Sequence, residues 1–413
     1  MRILFLQKRL LFPADTGCKI RTLNVVRHLA KWHEVVYLCN ILPEERPYIG
    51  QMQELGVRLE AIPWREAPRG SVRFYRDLAL NVFSAYPFNV AKDYDRRLRR
   101  RAQELLGQDR FDVLVCDFVQ MARNCLGLNG APKVLFQHNV EAQVFQRIAQ
   151  TSPSWLRRAY VHMQWRKMHR FESLAGRDFD AVIAVSDQDR KIFEEVYCWR
   201  HVRVIDTAVD LDHFQPSDVP ERPGLVVFVG SLDGLITQDS MAFFLREVWP
   251  LVRRQCPDAK FRMVGRNPPA KLQRLHGQDG IEVAGSVPDV RPHLAKAALV
   301  VVPIIAGGGT RLKIFEAMAM GKPVVSTTIG AEGLPVHDGE HLVIADEARE
   351  FAETICNLLR TPERRKELGQ AALEYVRHRF GAERVARQFE HVCLEVARKT
   401  AVGSWGGHGQ SDS

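Results

Sequence analysis

Short apolar runs alternate with amphipathic stretches along this chain of 413 residues. Runs such as Leu299–Val302 consist entirely of apolar residues, which is typical of parallel strands buried on both faces. Between the runs, apolar residues recur at helical spacing, for example from Ile20 to Lys31. The pattern predicts strands at Arg2–Leu6, Glu34–Leu38, Val57–Ile62, Val113–Cys116, Val134–Phe136, Ala181–Val185, Val202–Ile205, Val226–Val229, Lys260–Val264, Ile281–Ala284, Leu299–Val302, Val324–Ser326 and His341–Ile344.

The series of strands and helices restarts in the middle of the chain. Three prolines, Pro216, Pro220 and Pro223, cluster between the two series. Two successive β-α series favour an α/β fold of two doubly wound, Rossmann-like domains. We place the domains at residues 1–212 and 213–385, and we expect a disordered tail at residues 403–413, which are rich in glycine and serine.

A glycine-rich turn follows the predicted strand Leu299–Val302 and opens a helix. Residues 307–313 read Gly-Gly-Gly-Thr-Arg-Leu-Lys. The N–H groups at a helix start attract phosphate, whereas cations there oppose the helix dipole at about 0.3–1 kcal/mol each. A bound dianion would explain both Arg311 and Lys313, and close approach of a ligand would explain the three glycines.

Glu316 lies three residues after Lys313 and therefore on the same face of this helix. A diphosphate at the helix start would leave its ribose near Glu316, about 8 Å along the axis from Arg311. A carboxylate accepts hydrogen bonds from two adjacent hydroxyl groups, as it does in dinucleotide sites. The alternative is a solvated Lys–Glu pair on a surface helix.

The segment from Pro303 to Ser326 resembles the C-terminal signature of the retaining GT-B glycosyltransferases of family 4. Its core reads Gly-Gly-Gly-Thr-Arg-Leu-Lys-Ile-Phe-Glu-Ala-Met-Ala-Met-Gly-Lys-Pro. These enzymes move a sugar from a nucleotide diphosphate sugar to an acceptor. Glu316 matches the second glutamate of the family's pair, and Gly308 stands where the first would fall. The usual cations after the first C-domain strand are also missing, since Gly230 is followed by Ser231-Leu-Asp-Gly.

The departures from the family pattern assign diphosphate neutralisation to Arg311 and Lys313. They are similar to a subgroup typified by the exopolysaccharide transferases of exosortase systems. The resemblance implies two domains facing a cleft, with the acceptor on the first and the nucleotide on the second. It also implies a last helix that crosses back to the first domain; the candidate helix is Ala382–Lys399, and we assign the crossover to residues 386–402. It also implies transfer with retention by front-face departure, in which the diphosphate leaves from the face that the acceptor attacks and the leaving phosphate deprotonates the acceptor. We expect no cofactor and no metal.

Further candidates follow other predicted strands, where ligands of open α/β sheets bind. Gly17 follows the first strand, and His138 follows Val134–Phe136; the resemblance places both near the donor sugar. The alternatives are a simple helix start capped by Asp15 or Thr16, and a structural histidine. The predicted catalytic residues are His138, Arg311 and Lys313, and the predicted nucleotide-sugar-binding residues are Gly17, Gly230, Ser231, Gly265, Gly308, Gly309, Thr310, Arg311, Lys313 and Glu316.

The formal charge of +9 leaves the choice of an anionic partner open. Arginine-rich stretches at 96–101 and 155–170 contain or adjoin apolar and aromatic residues, which fits a helix on an anionic membrane, although a solvated helix face is the alternative. No nucleic-acid motif accompanies the charge, so we expect no nucleic acid. We expect a cytoplasmic protein, peripheral at the inner face of the membrane, acting on a glycan or lipid-linked acceptor.

Two other functions remain open at this stage. A GT-B nucleotide-sugar 2-epimerase would need no acceptor, but it requires acid and base carboxylates at the sugar that the sequence does not reveal. A non-catalytic binding protein would keep the fold without turnover, and Gly308 in place of the first glutamate gives this alternative some weight.

Overall fold

The computed structural model describes residues 1–14, 16–68, 70–151, 154–305 and 312–403. The strands are β1 Arg2–Gln7, β2 Glu34–Ile41, β3 Arg58–Pro63, β4 Val113–Asp117, β5 Lys133–Phe136, β6 Ala181–Ala184, β7 Val202–Val204, β8 Leu225–Val229, β9 Lys260–Val264, β10 Ile281–Gly285, β11 Leu299–Val302, β12 Val324–Ser326 and β13 Val343–Ile344.

The helices are α1 Gly17–Trp32, α2 Ile49–Glu54, α3 Val72–Leu80, α4 Phe88–Lys92, α5 Arg96–Gln108, α6 Val119–Cys125, α7 Glu141–Thr151, α8 Trp155–Ala175, α9 Asp187–Glu195, α10 Leu235–Phe243, α11 Trp249–Gln255, α12 Ala270–Gln273, α13 Arg291–Ala295, α14 Leu312–Ala319, α15 Ala348–Arg360, α16 Pro362–Arg379 and α17 Ala382–Gly403. Short 3₁₀ segments lie at Pro43–Tyr48, Asn81–Phe83 and Gly176–Asp178, and a π-helical segment lies at Phe244–Val248.

Both sheets are parallel and share one strand order. The first runs β3-β2-β1-β4-β5-β6-β7 and the second β10-β9-β8-β11-β12-β13. Each sheet therefore reverses direction beside its first strand, between β1 and β4 and between β8 and β11. In doubly wound sheets this switch point opens a crevice at the carboxyl ends of the strands, where ligands bind.

The chain divides into two compact units. The first comprises 1–206 and 383–413, and the second comprises 207–382. Most of α17 therefore belongs to the first unit, where the Phe389 ring packs on Phe136 with centroids 5.1 Å apart and Glu390 accepts from His33 at 2.6 Å. The divisions fall after Asp206 and Ala382, slightly before the boundaries expected at 212 and 385.

The predicted α/β fold with two parallel sheets is confirmed, and each predicted strand is present. The last strand is shorter than predicted, because His341 lies in the preceding turn and stacks on Tyr375 with ring centroids 3.8 Å apart. The first helix begins at Gly17 rather than Ile20. The expected tail lies outside the described residues from 404 onward, and Gly403 is the last residue of α17.

Two glycines bring the ends of β8 and β9 into direct backbone contact. Gly265 has a φ of +158°, and a Cβ atom there would lie 1.6 Å from the carbonyl oxygen of Gly230. The N–H of Gly230 donates to the carbonyl of Val264 at 3.0 Å, and the N–H of Gly265 donates to that of Gly285 at 2.9 Å. The sheet therefore stays closed at this edge only while residue 265 lacks a side chain.

We predict that Gly265→Ala destabilises the protein by about 1–3 kcal/mol more than Gly277→Ala does. Gly277 also has a positive φ, +83°, but no atom lies within 4 Å of a Cβ there. The pair therefore separates the steric collision from the cost of the backbone conformation. Urea unfolding of both variants by circular dichroism measures the difference, and equal losses would contradict the contact.

Candidate functional site

In the second unit, the ammonium group of Lys313 lies at the end of β8. A Cβ atom on Gly230 would be 2.6 Å from Lys313 Nζ, and Nζ lies 4.6 Å from the centroid of the Phe228 ring. Lys313 lies in the first turn of α14, and that turn contains no acidic residue. Gly230 thus leaves the space that a lysine from another element fills, at the switch point of the sheet.

Glu316 lies one turn further along α14 and is half-buried. Burial raises the pKa of its carboxyl group to about 7, and the positive charge of Lys313 limits the rise. The carboxylate and the ammonium therefore share the helix face predicted from their spacing. At neutral pH, Glu316 is poised between its acceptor-only ionised form and its protonated form.

The other predicted residues of this unit are placed as follows. Gly230 and Gly265 are in contact, and both of their N–H groups are used by the sheet rather than being offered to a ligand. Ser231 accepts from the N–H of Gly234 through its carbonyl at 3.3 Å. Gly308, Gly309, Thr310 and Arg311 lie outside the described residues. Arg266, which follows β9 and Gly265, pairs with Asp233, with its Nε 3.4 Å from a carboxylate oxygen.

In the first unit, His138 lies in a buried polar cluster beside the switch point. Its Nε2 is 2.6 Å from Oδ1 of Asp117, the last residue of β4, and the two side chains are 2% and 0% exposed. Thr22 donates its hydroxyl to the other carboxylate oxygen of Asp117 at 2.7 Å. The guanidinium of Arg21 lies 3.4 Å from Nδ1 of His138 and donates to its carbonyl oxygen at 3.2 Å.

These partners determine the tautomer of His138. Burial lowers the pKa of Arg21 to about 10, so the guanidinium remains a donor near neutral pH and Nδ1 of His138 accepts. Nε2 therefore carries the proton and donates to Asp117. With both ring nitrogens engaged, the geometry favours the structural alternative, in which His138 holds the ends of β4 and β5 together.

A second buried carboxylate organises the turn that carries His138. Glu172 of α8 accepts from the N–H groups of Glu141 and Ala142 at 3.0 Å each, which caps the start of α7. It also accepts from Tyr197 and from the amide of Gln137. Burial raises the pKa of Glu172 to about 7, while the two backbone N–H groups lower it. The turn after β5 is therefore held in place by hydrogen bonds to Glu172 of α8.

Gly17 begins α1, which follows β1 and leads to Arg21 one turn later. Thr16 is the N-cap residue, but its side chain makes no capping bond. Asp15, the other cap candidate, lies outside the described residues. Gly17 therefore begins the helix that brings Arg21 to His138.

Three residues of these clusters, Asp117, Arg21 and Glu172, were not predicted from the sequence. Asp117 has the same signal as His138, because both are polar residues at the carboxyl end of a buried strand. Arg21 and Glu172 lie inside amphipathic helices, where the sequence does not distinguish a buried charge from a surface charge.

One further cluster has the composition of a metal site. Ligand atoms of His337, Glu340 and His341 lie within 4.8 Å of one another. The backbone N–H of His337 donates to Nδ1 of His341 at 3.1 Å, so Nε2 of His341 carries its proton and faces Glu340. The cluster is therefore satisfied as a hydrogen-bonded turn.

Two family models match the chain in succession. "Glycosyltransferase Family 4" matches residues 16–213, and "Glycosyl transferases group 1" matches residues 223–361. Among curated proteins, a 44.6 kDa protein in the cps region of Klebsiella pneumoniae is 23% identical over 70% of this chain and 75% of its own length. D-inositol 3-phosphate glycosyltransferase 2 of Catenulispora acidiphila is 29% identical over 49% of this chain and 53% of its own.

Among solved structures, Anabaena HepE in complex with UDP superposes with a TM-score of 0.66. The match covers 96% of this chain and all of the other at 15% identity, so it bears on the fold alone. The fold is the GT-B fold, with two parallel α/β sheets. Since the two family models together span both units, the chain belongs to the group 1, family 4 glycosyltransferases and is a transferase enzyme.

Proposed function

We propose that this protein transfers a sugar from a nucleoside diphosphate sugar to an acceptor and that the second unit binds the nucleotide. The observation that carries the proposal is the position of the Lys313 ammonium against Gly230, at the switch point of the sheet. The Lys313 ammonium takes the position of the cations that usually follow this strand in the family and that this chain lacks. Glu316, one turn along, then meets the ribose.

Catalysis in this proposal comes from stabilising the departing diphosphate. The bond between the anomeric carbon and the β-phosphate oxygen breaks, and the acceptor oxygen bonds to the same face of that carbon. Lys313, Arg311 and the start of α14 neutralise the negative charge that develops on the phosphate. Two cations supply the charge that a metal ion would otherwise bring.

The acceptor proton passes to the departing phosphate oxygen in this scheme. The polar cluster of the first unit supports this route, because Asp117 and His138 are bonded to each other. Asp117 also accepts from Thr22, so its oxygens are both occupied. His138 is then a positioning residue rather than a base, and the sugar keeps its anomeric configuration.

We predict that Lys313→Met weakens UDP binding about tenfold to a hundredfold. The variant removes one charge-assisted contact, worth about 1.5–3 kcal/mol, and keeps the methylene stem over Phe228. UDP is the first nucleotide to test because the HepE relative of this fold binds it. A thermal-shift panel with UDP, GDP, ADP and dTDP, with and without magnesium, makes the measurement.

Lys271→Met is the matched control, because it removes an exposed lysine of the same unit. It should leave the shift unchanged. If Lys313→Met binds UDP as the natural protein does, or if none of the four diphosphates stabilises the natural protein, the proposed nucleotide site is wrong.

Glu316 gives a pH dependence of known sign. With its pKa near 7, the ionised fraction rises from about one tenth at pH 6 to about nine tenths at pH 8. If the carboxylate holds the ribose, UDP affinity should rise up to about tenfold over this range. Glu316→Gln should lack that part of the rise, which isothermal titration of both proteins measures. Parallel pH profiles would remove Glu316 from the ribose.

The arginine run at 96–101 offers only part of the basic face expected from the sequence. Arg101 pairs with Glu60 at 3.1 Å, and Arg99 donates to main-chain carbonyls at the end of α6, the shortest at 2.8 Å. Arg97 pairs with Asp95 at 3.1 Å but stays exposed, as do Arg96 and Arg100.

A surface formed by α3 and the following 3₁₀ turn fits a membrane better. α3 has no buried residue, and Val72, Tyr75 and Phe83 are 86%, 60% and 90% exposed. Arg73 and Arg76 lie on the same helix and share the carboxylate of Asp77 at 3.9 and 3.0 Å, so two cations there meet one acidic side chain. None of the described helices is long and apolar enough to cross a membrane. We propose that this surface lies on an anionic lipid surface, with its apolar side chains in the interface.

Replacing Val72 and Phe83 together by serine should lower cosedimentation with vesicles containing 30% phosphatidylglycerol at least threefold. Binding by the natural protein should also weaken with added salt. Leu174→Ser removes an apolar side chain of the same unit that is 53% exposed, and it should bind as the natural protein does. An equal loss in both variants would contradict this surface.

A further inference from the structure

The first unit contains an open cavity that neither polar cluster described above accounts for. Its volume is about 1940 Å³, and it lies where β1, β2 and β3 end. Lys8 follows β1, Ile41 ends β2 and Pro63 ends β3, and all three line it. Helices α3 and α4 supply further walls. Pockets for small ligands measure about 300–1,000 Å³, so this cavity suits a larger molecule.

The lining carries an excess of positive charge. Six cationic side chains border the cavity against the three carboxylates of Glu44, Glu66 and Asp77. The cations are Lys8, Arg46, Arg65, Arg73, Lys92 and Arg97, of which Arg97 is paired with Asp95 behind the lining. A cavity lined with an excess of one charge concentrates ligands of the opposite charge.

Behind the lining, Lys8, Lys92 and Glu66 meet two charged residues that do not themselves line the cavity, Asp93 and Arg9. Lys8 lies 2.9 Å from Asp93, and Lys92 lies 3.5 Å from the same carboxylate, which is 1% exposed. Lys92 and Arg9 also share Glu66, at 2.5 and 2.9 Å. Three cations are therefore held by two carboxylates. Burial lowers the pKa of Lys8, and Asp93 only partly offsets this, so one more negative group would stabilise the charged lysine.

Aromatic side chains provide the apolar part of the wall. Trp64, Phe74, Phe88 and Tyr94 all line the cavity, and Phe74 packs edge-on against Phe88 with centroids 5.8 Å apart. The indole N–H of Trp64 is buried and has no hydrogen-bond partner among the described residues. Aromatic faces receive the C–H faces of sugar rings, and a buried donor without a partner favours a ligand with hydroxyl oxygens.

We propose that this cavity binds the acceptor and that the acceptor is an anionic oligosaccharide. Its phosphate or carboxylate group lies at Lys8 and Lys92, and its sugar rings lie on the wall around Trp64. The proposal rests on the proposed glycosyl transfer, because it names the acceptor of that reaction. It assigns acceptor binding to residues of the first unit, none of which belongs to the proposed nucleotide site.

The test measures saccharide binding to the full chain by isothermal titration. The probes are trigalacturonic acid, maltotriose, glucose 1-phosphate and inorganic phosphate. We expect trigalacturonic acid or glucose 1-phosphate to bind at least tenfold more tightly than maltotriose. The tighter of the two identifies the carboxylate or the phosphate as the anionic group. Equal affinity for the neutral and anionic saccharides, or binding of inorganic phosphate alone, would overturn the proposal.

Substitutions in the lining, with one control outside it, locate the site. Lys8→Gln and Lys92→Gln should reduce the affinity for the anionic saccharide at least fivefold, whereas Lys191→Gln, an exposed lysine of the same unit, should not. Trp64→Leu should weaken anionic and neutral saccharides alike. If the loss of Lys8 prevents folding, Arg46→Gln on the exposed rim replaces it, with at least a twofold loss expected. Unchanged affinity in these lysine and arginine variants would contradict the assignment.

The outcome for the nucleotide is independent of this test. Binding of UDP without selective binding of anionic saccharides would reject the acceptor assignment and leave the transferase proposal standing. Selective binding of anionic saccharides without binding of any nucleoside diphosphate would reject the transferase proposal. The bound saccharide would then not be the acceptor of a transfer reaction.

Discussion

The second unit is organised around a lysine ammonium held at the edge of a parallel sheet. Lys313 Nζ lies over the Phe228 ring and against Gly230, in the first turn of a helix whose dipole opposes its charge. The protein tolerates this placement because Gly230 has no side chain and Gly265 lets the neighbouring strand end close behind it. A bound dianion would offset the unfavourable interaction of this ammonium with the helix dipole, which is the physical basis of the proposed diphosphate site.

The first unit uses buried charge differently. Asp117, His138 and Arg21 satisfy one another at the switch point, and Glu172 fixes the turn that carries His138. Hydrogen bonds among these buried polar groups make a rigid edge. The cavity beside β3 is the opposite case, because Lys8, Lys92 and Arg9 exceed the carboxylates that hold them. Rigid support and a local excess of paired cations thus lie in the same unit.

Much of the fold could be predicted because strands buried on both faces appear in the sequence as apolar runs. The ends of these runs also indicated His138, Gly230 and Gly265 as candidate site residues. They did not identify the partners. Arg21 lies within an amphipathic helix, and nothing near Arg101 in the sequence indicates that Glu60 faces it.

The cavity was not predicted either, since its lining comes from several separate segments between Lys8 and Arg97. Spacing along a helix predicted that Lys313 and Glu316 share a face. It could not predict that the lysine reaches back to β8, because that contact depends on how α14 packs on the sheet.

A crystal structure of the protein with UDP would locate the diphosphate directly. We expect a β-phosphate oxygen about 2.7–2.9 Å from Lys313 Nζ, with the ribose hydroxyls on the Glu316 carboxylate. A UDP molecule bound away from β8 and α14, or a Lys313 side chain directed away from the diphosphate, would contradict this expectation.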